Sequence, residues 1–187
     1  MTETELIRGL RAAEEAAFKE LVNRFQDSVY NTSLGLIQNT ADAEDIAQEV
    51  FIQVYKSIHQ FKEAAQLSTW IYRITTTKSL DFLRSKRRKK RFGFIKSLFG
   101  EDHALVVDPE DFNHPGILQE RKEEAAQLFT LINQLPGNQR AAFILNKVEE
   151  LSYKEIAAIL QTTEASVDAL LQRAKKQLQK KIAEMPG

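Results

Sequence analysis

The chain has 187 residues, 43% of them hydrophobic, and its 26 basic and 26 acidic side chains cancel to zero net charge. This length fits one medium or two small domains, and the absence of cysteine excludes disulfides and thiolate metal sites. No apolar run approaches the roughly 20 residues of a membrane span, the polar start is unlike a signal peptide, and His59, His103 and His114 have no metal-ligand spacing.

Helical periodicity accounts for every patterned segment in the first half of the chain, and no segment alternates as a strand would. Asn39 and Thr40 offer an N-cap to the third predicted helix, and acidic residues in its first turn suit the positive end of a helix dipole. The four predicted helices cover residues 3–10, 14–38, 41–59 and 67–91.

The third predicted helix is amphipathic. Asp45, Gln48 and Glu49 lie off its apolar stripe, so they are free to meet a partner. An ordinary solvated face is the alternative interpretation. The stripe itself consists of Ala43, Ile46, Ala47, Val50, Val54 and Ile58.

The fourth predicted helix ends in an unbroken run of six cations. Its apolar face begins at Leu67, and Leu80 and Leu83 fall on the opposite side, so it is expected to pack against neighbours on two sides. Arg84 and the run at 86–91 then offer a rigid positive surface for a polyanion, and a nucleic-acid backbone is the favoured one. A solvated charge run is the alternative.

Glycines, prolines and acidic residues mark 93–116 as a linker. The apolar segment 92–99 indicates a short docking element or, as we favour, a cover for the first domain. The pattern Ser152-Tyr153-Lys154-Glu155, the turn at 161–164 and the polar and basic outer positions of the last helix are typical of a helix-turn-helix. The helices predicted after the linker cover residues 118–134, 136–147, 152–160 and 165–182.

The charges are unevenly distributed along the chain. The net charge is −5 over residues 1–60, +9 over 61–100, −6 over 101–150 and +2 over 151–187. This alternation predicts two surfaces that face nucleic acid and acidic surfaces that serve another purpose.

Four stretches resemble the motifs of one protein family in order and spacing. They are EAAFKEL at 15–21, DAEDIAQEVF at 42–51, STWIYRI at 68–74, and the segment from Leu135-Pro136 to LSYKEIA at 151–157. The chain is therefore similar to the extracytoplasmic-function (ECF) sigma factors, the compact two-domain branch of the bacterial primary-sigma superfamily. The match covers nearly the whole chain and leaves the linker unmatched.

The resemblance implies an all-α fold of two small helical domains on a flexible linker. Sigma region 2 would occupy residues 1–92, the linker 93–116, and sigma region 4 would occupy 117–187 with the helix-turn-helix. It also implies a cytoplasmic protein, without cofactor, catalysis or membrane insertion, that directs core RNA polymerase to the promoters of a stress or envelope-response regulon and starts transcription there.

The implied partners are core RNA polymerase, promoter DNA and an anti-sigma protein. On polymerase, the clamp of the largest catalytic subunit and the flap of the second would be contacted. The residues implied for polymerase binding are Asp42, Asp45, Gln48, Glu49 and Ile52.

The loop at 61–67 would hold a flipped-out base of the promoter −10 element, and the helix after it would grip the single strand. The residues implied for this contact are Lys62, Glu63, Gln66, Arg73, Thr77, Lys78, Arg84, Lys86, Arg87 and Arg88. The last helix would enter the major groove of the −35 element. The residues implied there are Ser166, Asp168, Ala169, Gln172, Arg173 and Lys176.

Two departures from the family pattern bear on these assignments. Thr77 stands where the family commonly has an asparagine that frames the flipped base. Asp168 and Leu170 stand where basic residues are usual, which should weaken phosphate binding near the −35 element.

Two other functions compete with a sigma factor. A helix-turn-helix regulator that acts without polymerase would explain residues 152–182 but would leave the acidic helix and the Trp70 helix without a role. A metal-dependent nuclease would hold a cation with Asp42, Glu44, Asp45 and Glu49. Only Asp42, Asp45 and Glu49 share helical spacing, and no nearby residue offers a base or a phosphate clamp.

Overall fold

The computed structural model describes residues 1–98 and 122–184. Every regular element in those two ranges is helical, which confirms the predicted all-α fold. A 3₁₀ turn at Ile58–Gln60 follows the third helix. The α-helices are α1 (Glu3–Arg11), α2 (Glu15–Ile37), α3 (Thr40–Ser57), α4 (Leu67–Leu98), α5 (Lys122–Asn133), α6 (Gly137–Lys147), α7 (Tyr153–Leu160) and α8 (Glu164–Ala183).

Polar side chains fix the starts of several helices. The Asn39 side chain accepts a hydrogen bond of 2.8 Å from the backbone N–H of Asp42 at the start of α3. The predicted capping box of Ser152 and Glu155 is present at α7, and Thr163 caps α8. These side chains satisfy backbone N–H groups that have no partner within the helix.

Helix α4 extends further than predicted. It continues to Leu98, so residues 93–98 are helical although the sequence analysis assigned them to the linker. A single glycine at position 93 does not end the helix, since each added residue brings one more backbone hydrogen bond. Residues 99–116, the rest of the predicted linker, and the side chains of the predicted cover at 92–99 lie outside the described part of the chain.

Helices α1–α4 form a first helical unit. Helices α1 and α2 approach so closely that a Cβ atom on Gly9 would lie 2.7 Å from the Cβ of Ala17. Only glycine fits at that crossing. The fully buried side chains of this unit include Leu6, Leu10, Leu21, Val50, Val54 and Leu67.

Helices α5–α8 form a second helical unit that packs directly on the first. Leu36 of α2, Leu80 of α4 and Ile144 of α6 belong to one continuous apolar core. A Cβ atom on Gly35 would lie 3.0 Å from Cγ2 of Ile144, so the glycine lets α2 and α6 meet. The units are therefore in a closed arrangement, a matter that the sequence left undetermined. Within the described ranges, no helix has the length and apolar character needed to cross a membrane.

Candidate nucleic-acid interface

The outer face of α3 presents acidic, amide and apolar side chains together. Asp45 and Gln48 are exposed, and so are Ile52 and Tyr55, which retain 51% and 45% of their accessible surface. Tyr55 packs edge-on against Phe18 at 5.6 Å between ring centroids. Sequence reasoning missed Tyr55, although its spacing of three residues from Ile52 places it on the same face.

Two of the residues predicted to bind polymerase form ion pairs with lysines of α4. Asp42 accepts from Nζ of Lys86 at 2.9 Å, and Glu49 accepts from Nζ of Lys78 at 3.1 Å. The acidic helix and the basic helix therefore neutralise one another in part. Each pair lies near the surface, where such pairs contribute roughly 0.2–1 kcal/mol.

A groove of about 860 Å³ runs between α3 and α4. Four of the cations predicted to contact the −10 strand line it together with Glu49, so the structure brings those residues into one place. The four cations are Lys78, Arg84, Arg87 and Arg88. Two of the carboxylates that the nuclease alternative requires, Asp42 and Glu49, are used in ion pairs, and the described residues contain no cluster of three or more His, Asp or Glu placed to hold a metal.

Arg11, the last residue of α1, anchors the segment that joins α3 to α4. Its guanidinium donates to the backbone oxygen of Phe61 at 2.8 Å and pairs with Glu63 at 2.7 Å. The Phe61 side chain is buried, and the centroid of its ring lies 5.1 Å from the centroid of the Trp70 ring. Lys62 and Gln66 are exposed on the same segment. Arg11 lies far away in sequence, so no local pattern identified it.

One face of α4 is covered by the second unit. Arg73 donates to the backbone oxygen of Ala158 in α7 at 2.7 Å, and the Tyr72 hydroxyl donates to Glu149 at 2.9 Å. Arg73 is thus separated from the cations of the groove, whereas Thr77 is exposed. Burial raises the pKa of Tyr72, and the charge of Glu149 raises it further. Burial also raises the pKa of Glu149, although the hydrogen bond from Tyr72 opposes that change.

Arg140 joins the two units and is only 1% exposed. Its guanidinium donates to the backbone oxygens of Leu36 at 3.0 Å, Leu135 at 3.4 Å and Asn133. These carbonyls lie at the C-terminal ends of α2 and α5, where helix dipoles favour a cation. Burial and the charge of Arg87 lower the pKa of Arg140 to about 10, so it stays protonated at neutral pH. No sequence pattern indicated this role of Arg140.

The helix-turn-helix consists of α7 and α8. Val167, Leu171, Ala174 and Leu178 bury one side of α8. The opposite side is open to solvent. Five of the six predicted −35 contacts on it are exposed, and the sixth, Ala169, is half-buried. Those five are Ser166, Asp168, Gln172, Arg173 and Lys176. The backbone N–H of Ser166 donates to Thr163 at 3.1 Å and so serves the helix cap.

Two family models match the sequence, one in each helical unit. The model described as sigma-70 region 2 matches residues 21–89, and the one described as sigma-70, region 4, matches residues 125–178. Together they contain α3, the described side chains of α4, and the helix-turn-helix as far as Leu178.

Curated relatives align along nearly the whole chain. The ECF RNA polymerase sigma factor SigW of Bacillus subtilis is 28% identical over 96% of this chain and 96% of its own length. The ECF RNA polymerase sigma factor SigE of Mycolicibacterium smegmatis is 32% identical over 89% of this chain and 62% of its own length.

Solved structures share the fold. CnrH in complex with the cytosolic domain of CnrY superimposes with a TM-score of 0.70 at 17% identity, covering 98% of this chain and 99% of that chain. The sigma factor RpoE in complex with the anti-sigma factor NepR from Bartonella quintana gives a TM-score of 0.64 at 20% identity, covering 87% and 94%.

Proposed function

The chain belongs to the ECF sigma factors of the sigma-70 family, and from that premise we propose how its two units divide the work of promoter recognition. Residues 1–92 act as region 2, which docks on core RNA polymerase and captures the −10 strand. Residues 117–187 act as region 4 at the −35 element, and 93–116 contain the connection. The protein catalyses no reaction itself and works in the cytoplasm, where polymerase transcribes.

The outer face of α3 is the docking surface for polymerase. Ile52 and Tyr55 supply an exposed apolar centre, and Asp45 and Gln48 supply a polar rim, an arrangement common to protein interfaces. Asp42 and Glu49 take part by exchanging their lysine partners on α4 for cations of polymerase. This face is the observation that most supports a sigma factor over a regulator that acts alone, since such a regulator would leave it without a role.

The start of α4 forms the −10 surface. Lys62, Glu63 and Gln66 surround the site of the extruded base, on a segment that Arg11 holds in place. Thr77, lacking an amide, contributes one hydroxyl where the family commonly uses asparagine. The phosphates of the strand are neutralised along the groove by Lys78, Arg84, Arg87 and Arg88, and outside the groove by Lys86.

The exposed side of α8 forms the −35 surface. Gln172 and Arg173 are the side chains best suited to base edges, and Lys176 meets phosphate. Ser166 and Ala169 lie nearer the N-terminal end of the helix. Asp168 repels phosphate, so the affinity of this unit for DNA alone is expected to be low.

The closed arrangement cannot occupy both promoter elements at once. Elements that lie roughly 25 base pairs apart are about 85 Å apart along the DNA axis, at 3.4 Å per pair. A compact chain of this length has a radius of gyration of about 16 Å. Transcription initiation therefore requires the units to separate, which also uncovers Arg73. An anti-sigma partner would act by preventing that separation.

In vitro transcription with core enzyme and a promoter library tests the function, and binding to core enzyme without DNA tests the docking surface separately. Asp45→Lys with Gln48→Lys should abolish core binding while the circular dichroism spectrum stays that of the wild type. Asp27→Lys, which changes an exposed acid on α2, serves as the matched control. Unchanged core affinity in the double variant would show that α3 is not the docking surface.

A further inference from the structure

The seam between the two units contains a cleft of about 280 Å³ that is rich in positive charge. Arg84 and Arg87 of α4 line one side, and Arg140 and Asn138 of α6 line the other. Leu80 closes the cleft on the α4 side, since its Cδ2 lies 3.3 Å from the position of a Cβ on Gly137. No acidic side chain is among the described residues that line it.

The charges of this cleft are incompletely balanced by protein. Arg84 pairs with Asp81 at 2.5 Å, but both side chains are largely exposed and such pairs contribute little. Arg140 is buried, and its Nε N–H has no acceptor among the described residues. The three guanidinium groups repel one another, and an anion placed between them would relieve that repulsion, most of all for the buried Arg140.

The start of α6 adds a second attraction for an anion. The helix begins at Gly137 after Pro136, and no side chain caps it. Its first backbone N–H groups and the positive end of its dipole therefore face the cleft that Asn138 lines. An uncapped helix start would carry no argument alone, but here it coincides with a buried arginine and two further arginines.

We propose that this cleft binds a small phosphate-bearing anion, held between Arg84 and Arg87 of the first unit and Arg140 and the α6 N-terminus of the second. Its volume equals that of about nine water molecules in the liquid, which suits inorganic phosphate or pyrophosphate with some water. A DNA strand does not fit between the units, because the cleft holds only about 280 Å³.

Binding of such an anion favours the closed arrangement. The site exists only when the two units meet, so the anion stabilises the state that contains it and is released when the units part. The anion also occupies Arg84 and Arg87, which are proposed to contact the −10 strand. The consequence for transcription, which rests on the proposed function, is that phosphate restrains the free sigma factor.

Calorimetric titration of the full chain with phosphate and with pyrophosphate, against chloride at equal ionic strength, tests the binding without polymerase. One saturable site is expected. Arg87→Gln should weaken binding about tenfold through the loss of one charge-assisted contact. Arg88→Gln, which changes an arginine on the same helix outside the cleft, should leave the affinity within about twofold of the wild type. The proposal is wrong if neither anion gives a saturable signal, or if both variants weaken binding equally.

Asn138→Asp places a carboxylate in the cleft at the start of α6, where a negative charge also suits the helix dipole. This variant should raise the melting temperature without phosphate and lose phosphate binding. Asn23→Asp, an exposed position on α2, is the matched control and should do neither. Normal phosphate affinity in Asn138→Asp would overturn the site, whereas failure of transcription with normal phosphate binding would count only against the proposed function.

Discussion

Helices α4 and α8 are both proposed to contact promoter DNA, but in the closed arrangement their proposed contact residues differ in exposure. The proposed contacts of α8 point to solvent, apart from the half-buried Ala169. On α4 the groove is open, whereas Arg73 lies against Ala158 of α7. Access of DNA to the first unit therefore depends on a contact between the units, and access to the second does not.

The buried stripes of the two helices differ in composition. The stripe of α8 is apolar throughout. By helical spacing, Thr69 and Thr76 share a face of α4 with Tyr72 and Leu80. The Thr76 hydroxyl is buried without a partner among the described residues, which costs free energy. Interfaces between domains that separate are typically of this more polar kind.

Removing the Arg140 guanidinium should have the largest effect on how firmly the two units are joined. Arg140→Met leaves the carbonyl oxygens of Leu36 and Leu135 buried without donors, so we expect the free energy of unfolding to fall by about 3 kcal/mol. Urea denaturation measures it. Arg173→Met, on the exposed side of α8, should change stability by under about 0.5 kcal/mol. A loss below about 1 kcal/mol for Arg140→Met would mean that this arginine does not join the units.

A bulky residue at Gly35 should open the seam with a smaller loss of stability. The three atoms nearest to a Cβ at this position all belong to Ile144, so a leucine clashes with the second unit specifically. We expect Gly35→Leu to weaken the contact between the units by about 1–3 kcal/mol. Small-angle scattering should then show a radius of gyration above the roughly 16 Å of a compact chain.

The control for this variant places the same side chain elsewhere on α2. Gln26→Leu is exposed and should stay compact. Single-stranded DNA carrying a −10 sequence should bind more tightly to Gly35→Leu than to Gln26→Leu, because Arg73 is uncovered. Equal DNA affinity in the two variants would show that α7 does not limit access to α4.

The sequence predicted each element but not how the units meet. Helix positions followed from the periodicity of residues such as Leu21, Val50 and Leu171, because burial of one face recurs at a local spacing. The contacts of Arg11, Arg140 and Glu149 join positions 50 or more residues apart, as with Arg11 to Phe61 and Arg140 to Leu36. No local pattern encodes such pairs, so the contacts of α4 with the second unit could be found only in the fold.

The pH dependence of the seam provides a finer test of the same contrast. Because the pKa of Glu149 is raised in the closed arrangement, that arrangement binds more protons than the open one. Its stability is fully present below the ordinary glutamate pKa of about 4.3 and declines as pH rises through the raised pKa. Glu149→Gln should flatten this decline. The measurement is the difference between the variant and the wild type in compactness by scattering across that window.

Other titratable groups face Glu149, so the comparison must be between variants. Tyr72 donates to it and Glu155 lies close enough to affect Tyr72. Both are present in the wild type and in Glu149→Gln, and their contributions largely cancel in the difference. Glu150→Gln changes an exposed neighbour and should keep the wild-type profile. Identical profiles of compactness against pH for all three proteins would show that Glu149 does not set the pH dependence of the closed arrangement.

The smallest expected effect concerns the pair of Glu49 and Lys78, which lies on the open side of α4. A double-mutant cycle with Glu49→Gln and Lys78→Gln should give a coupling of about 0.2–1 kcal/mol in urea denaturation, since both groups are near solvent. When the same cycle is measured by affinity for core polymerase, the coupling energy should have the opposite sign. Lys78→Gln frees Glu49 to meet a cation of the partner, so it should bind polymerase slightly more tightly. If Lys78→Gln instead weakens polymerase binding, the acidic and basic helices act as one surface and do not exchange partners.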